Sequence, residues 1–71
     1  MKLLGRIVSV ESHHTSHPEP TFSLELHVSR NDIRLLRITR EQFDEIQIHG
    51  FGKVELEVDP NSGLVLSIVR Q

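Results

Sequence analysis

Two short stretches, "FSLELHV" (22–28) and "KVELEV" (53–58), alternate strictly between apolar and polar residues. A period of two sends Phe22, Leu24, Leu26 and Val28 to one side of an extended chain, and Ser23, Glu25 and His27 to the other. Val54, Leu56 and Val58 separate in the same way from Lys53, Glu55 and Glu57. Wound into a helix, either stretch would scatter its apolar residues around the axis. Each must therefore lie in a sheet with one face buried.

The rest of the chain extends this pattern. "LLGRIVSV" is rich in β-branched residues and reads as a strand from Leu3 to Val10, with Gly5 marking a bend or bulge. By composition, residues 11–20 read as a long loop. "SRND" (29–32) has the side chains of a tight turn and leads into a strand from Ile33 to Ile38. "TREQ" (39–42) is a capping box that starts a short helix from Arg40 to about Ile46, with Glu41 in its first turn and Phe43 and Ile46 facing the core. "HGFG" (49–52) stops that helix. The turn "DPNSG" (59–63) then joins the fourth strand to "LVLSIVR", which is expected to point Leu64, Leu66 and Ile68 inward and Val65 and Val69 outward.

The expected order is β-β-β-α-β-β, an all-β or β-rich single domain over residues 1–71 with one short helix, arranged as a small five-stranded antiparallel barrel. In this order alone the chain resembles an OB-fold protein, a small and partly open Greek-key barrel. An SH3-like closure fits the same pattern. The resemblance is topological and carries over no functional residue.

Seventy-one residues leave little room for a deep cleft, and a core of this size rarely supplies more than ~3–5 kcal/mol without a staple or a partner chain. Cysteine is absent, which excludes disulfides and thiolate chemistry and suits a reducing cytoplasm. Gly5 and Arg6 interrupt the N-terminal apolar stretch before it reaches signal-peptide length, and no membrane span is expected. The net charge of -2 gives no overall cationic field for a phosphate backbone, although a local patch would still serve.

Histidines 13, 14 and 17 fall within five positions, yet H-H-x-x-H is not a metal-binding spacing, and adjacent His13 and His14 would project apart on an extended chain. No metal and no cofactor is expected. Titration of all five histidines would carry the formal charge from -2 toward +3 as pH falls from 7 to 5, a sensitivity to pH and not in itself a designed switch. His27 sits on the outward parity of its strand, and His49 precedes the helix-ending glycine. The carboxylates Glu41, Asp44, Glu45, Glu55, Glu57 and Asp59 occupy polar faces of amphipathic elements, unlike an acid and base facing a cleft. No Gly-rich phosphate loop is present. These features argue against an enzyme.

Two binding readings remain. Arg30, Arg34, Arg37 and Arg40 concentrate basic charge within eleven positions, and with Phe51 as an exposed platform they would suit single-stranded nucleic acid. Arg34 and Arg37 differ in parity, and Phe22 and Phe43 belong on apolar faces, which weakens that reading. An outward Val65 and Val69 would instead leave an apolar stripe for a protein partner or a second copy. The expected function is a non-enzymatic binding module for protein or for itself, with Arg34, Arg37, Arg40, Phe51, Val65 and Val69 as candidate contact residues and nucleic acid as the alternative partner.

Overall fold

The computed structural model describes residues 1–14 and 19–71. Five strands, β1 (Lys2–His13), β2 (Thr21–Ser29), β3 (Asp32–Ile38), β4 (Gly52–Val58) and β5 (Val65–Arg70), form one antiparallel sheet in the order β3-β2-β1-β4-β5. The helix α1 (Arg40–His49) lies between β3 and β4 in the chain. The expected element order is therefore present.

The sheet is not closed into a barrel, which corrects the expected architecture. Its edge strand β3 meets the residues just before β5 at a single parallel pair, Arg37 and Leu64, where the Arg37 N–H donates to Gly63 O at 3.0 Å. Closure needs a continuous ladder around the circumference, and one bridge at the strand ends does not make one.

The first strand runs three residues further than its composition suggests. Glu11, Ser12 and His13 pair with Ser23, Phe22 and Thr21, so a partner strand holds this polar segment extended. Between Ile7 and Ser9 the register slips, placing Val8 in a bulge. Gly5 is required for another reason: a Cβ there would lie 2.7 Å from His27 O and 2.9 Å from Leu26 Cγ. Only a residue without a side chain lets β2 approach β1 this closely.

Alternation places Leu3, Ile7, Leu24, Leu26, Val54, Leu56 and Val58 on one face, where Leu36, Ile38 and Val65 join them and Ile46 from α1 covers them. Phe22 and Phe43 pack against this core with ring centroids 4.9 Å apart, the core duty expected of both. The capping box of α1 is present in both directions: Gln42 N–H donates to Thr39 Oγ1 at 3.2 Å, and Thr39 N–H donates to Gln42 Oε1 at 2.9 Å. Gln42 Nε2 also donates to Val65 O, tying α1 to β5. Gly50 ends the helix at φ 83°, a conformation that L side chains rarely adopt, and its N–H donates to Ile46 O.

The last strand departs from the expected phase. Val58 pairs with Val65 but Glu57 pairs with Ser67, so Leu66 is an extra residue in a bulge. That insertion reverses the parity of the residues before it. Val65, expected outward, is 1% exposed and belongs to the core; Leu66, expected inward, is 56% exposed. Val69 does face outward, at 51% exposure.

Candidate functional site: an unguarded edge and a basic row

The sequence-proposed residues do not assemble into one surface. Arg34 lies at the turn end of β3, where its Nε donates to Asp32 Oδ1 at 2.7 Å and its Nη2 to Asp32 Oδ2 at 3.2 Å. That fork holds the Asp32 carboxyl below the usual carboxylate range and raises the Arg34 guanidinium in turn. Arg37 and Arg40 come together at the other end of β3, lining a cavity of about 520 Å3 with Glu19, Phe22, Thr39 and Leu64. Arg40 Nε lies 4.0 Å from Asp44 Oδ2 one helical turn on. Phe51 is 53% exposed but lines a different cavity, with Val10, Ile46 and Gly50.

Among the described residues, no three His, Asp or Glu side chains converge as a metal-binding group. His13 Nε2 lies 3.3 Å from Ser23 Oγ and 3.4 Å from Glu11 Oε2 on the outer face of the sheet. His14 is exposed, and His17 lies outside the described residues. Among the described residues, no helix is long and apolar enough to cross a membrane.

Two features stand out on the rest of the surface. The first is the free edge of β5. Gln71 N–H donates to Lys53 O at 3.1 Å. In an antiparallel ladder the backbone groups alternate direction along the strand, so Ser67 and Val69 also turn theirs toward β4. Ile68 and Arg70 therefore point N–H and C=O away from the sheet. The one charged side chain on β5, Arg70, does not guard this edge: its Nη1 donates to Gly50 O at 2.7 Å, beside the helix end. Its Nε and Nη2 are buried without a partner. Leu66 and Val69 flank the open backbone, and Val69 continues a cross-strand row through Glu55 to the exposed Leu4.

The opposite edge is different. Strand β3 exposes Ile33 and Leu35 but carries Asp32, Arg34 and Arg37, and the bridge to Leu64 occupies its far end. Charged side chains and a covered end are the devices by which edges avoid further pairing.

The second feature is a row of basic side chains that sequence reasoning did not single out. On the outer face, Arg6 of β1 stands directly opposite His27 of β2 on one side and Lys53 of β4 on the other. All three line a cavity of about 440 Å3 with Leu4, Gly5, Val28, Val54 and Gln71. His27 Nε2 lies 3.0 Å from Glu25 Oε2, which fixes the ring. The three residues are at least twenty positions apart in the chain, and only strand register brings them together.

Compared with protein-family models, with curated proteins and with solved structures, the chain matches none.

Proposed function

We propose that this domain is a non-enzymatic binding module that self-associates by pairing β5 with β5 of a second copy. The observation that carries this reading is the unguarded β5 edge: outward backbone groups at Ile68 and Arg70, exposed Leu66 and Val69 beside them, and the only charge on the strand drawn back to Gly50. Antiparallel pairing about a two-fold axis at Ile68 sets residues 66 and 70 of each copy opposite one another, in the phase that faces outward. Such a contact is self-complementary, as a two-fold interface must be. Main-chain hydrogen bonds would supply affinity and the flanking apolar side chains would supply fit.

The finer architecture we propose is OB-like. The β-β-β-α-β-β order and the parallel contact of β3 with Leu64, just before β5, support it, with the sheet left open between its two edges. Single-stranded nucleic acid is the second reading, supported by Arg37 and Arg40 sharing one cavity.

Sedimentation equilibrium across a concentration series tests the first reading. The wild-type chain should show a monomer–dimer equilibrium, and Val69→Glu or Leu66→Glu should shift it to monomer with an unchanged circular dichroism spectrum. A wild-type chain that stays monomeric at high micromolar concentration overturns the reading, as does a dimer that neither substitution disturbs. Binding to an oligonucleotide that weakens steeply with salt and is lost in Arg37→Ala would favour the second.

A further inference from the structure

We propose that the His27–Arg6–Lys53 row is a binding site for a small phosphorylated molecule, a function separate from the β5 edge. The argument starts from an unfavourable arrangement. Like charges directly opposite on neighbouring strands repel, and Arg6 faces Lys53 in the β1–β4 ladder with His27 on its other side. None of the ion pairs among the described residues includes Arg6 or Lys53. Of the acidic side chains on the same face, Glu25 is engaged by His27, Glu11 lies beside His13, Glu57 beside the Met1 amino group, and Glu55 stands opposite Leu4 and Val69. The two cations are thus held side by side with no carboxylate at ion-pair distance.

An anion resolves that repulsion. A guanidinium presents a planar fork of donors to a phosphate, an adjacent ammonium adds a mobile point charge, and the two heads start from neighbouring strands. The surrounding shape favours something larger than a bare ion. The cavity of about 440 Å3 falls within the range of small-molecule sites, with the exposed Leu4 as apolar lining beside the charges. No aromatic side chain lines it, so bases of a polynucleotide would find nothing to stack on. Gly5 belongs to the construction as well: its missing Cβ allows the approach of β2 that sets His27 beside Arg6.

The site also carries a stability signature. If Arg6 and Lys53 were there for folding, neutralising either would weaken the fold. If they are held together for a ligand, Arg6→Gln or Lys53→Gln should raise the melting temperature, by up to about 5 °C for a domain of this size, while weakening anion binding.

A ¹⁵N–¹H NMR titration with inorganic phosphate, adenosine monophosphate and an oligothymidylate tests this directly. Phosphate and the mononucleotide should shift the amides of Gly5, Arg6, His27 and Lys53, the mononucleotide at lower concentration. Each Gln variant should weaken both by roughly fivefold, the scale of one exposed charge contact. The proposal is overturned if those amides do not move, if they move equally in both variants, or if both variants melt below wild type. It is also overturned if oligothymidylate occupies the same amides more tightly than the mononucleotide, which would assign the row to a nucleic-acid backbone.

Discussion

Replacing Gly5 with alanine tests the packing of the sheet at its tightest point. In an unstrained position with open space, Gly→Ala stabilises a protein by ~0.4–1 kcal/mol, because the unfolded chain loses freedom. At Gly5 the sign should reverse. The new methyl would sit 2.7 Å from His27 O and 2.9 Å from Leu26 Cγ, and the nearer atom is backbone, which cannot rotate away. Relief requires β2 to move away from β1 where Arg6 pairs with His27 and Ile7 with Leu26. Leu26 is 0% exposed, so that movement also loosens the core.

Overpacking of this kind costs about 1–3 kcal/mol, and the unfolded-state gain offsets part of it, leaving a net loss of about 1–2 kcal/mol. Against a total of about 3–5 kcal/mol for a core this small, the loss is large. Urea unfolding followed by circular dichroism should show a lower midpoint with an unchanged slope, and the melting temperature should fall by roughly 5–15 °C. Gly50→Ala is the control, since a Cβ there meets nothing within 4 Å and any cost comes from its positive φ alone. A Gly5→Ala chain as stable as wild type, or more so, would refute the steric argument.

Thr39→Ala removes the hydroxyl that accepts from Gln42 N–H and should cost about 1 kcal/mol in thermal unfolding, whereas Thr39→Ser should stay near wild type; equal losses in both would mean that the cap is not the cause. Acid should weaken the fold through its turns. The Asp32 carboxyl is depressed by its hydrogen bond to Arg34 and that of Asp59 by the Asn61 N–H, so their stabilisation is complete above the ordinary carboxylate value and is lost as pH falls through the lower folded values. Below about pH 4, the Asp32→Asn/Asp59→Asn chain should therefore lose stability less steeply than wild type, and parallel pH profiles would refute this.

What could be read in the sequence was what local chemistry determines. Strict alternation located β2 and β4, and "TREQ" placed the N-terminus of α1 at the residue where both cap bonds form. What could not be read depends on partners. Glu11, Ser12 and His13 have a loop composition and become strand because β2 lies alongside. Helix α1 continues to His49 because its cap is Gly50; the segment after Ile46 includes an exposed Ile48 and gives no core signal. The β5 bulge is silent in "LVLSIV", where five of the six residues are apolar and either phase looks plausible. One inserted residue was enough to exchange Val65 and Leu66 between core and surface. The candidate sites follow the same division: Arg34, paired with Asp32 at the turn end of β3, is parted from Arg37 and Arg40, its neighbours in sequence, while Arg6, His27 and Lys53, distant in sequence, share one cavity.

The unequal treatment of the two sheet edges has a consequence for assembly under the proposed pairing. A sheet with two receptive edges adds copies head to tail without end, because each new copy presents another free edge. Here the β3 edge is guarded by Asp32, Arg34 and Arg37 and is bridged at its far end by Leu64. Beyond the end that the same bridge covers, β5 has only Arg70 as a charge, and it is drawn back to Gly50. Two copies joined through β5 would use up both receptive edges and leave a guarded β3 on each outer side, so growth would stop at two. The same pairing would cover Ile68 and Arg70 backbone groups that are otherwise left to solvent. It would also stabilise a core that is thin for an isolated chain, by an amount that rises with protein concentration.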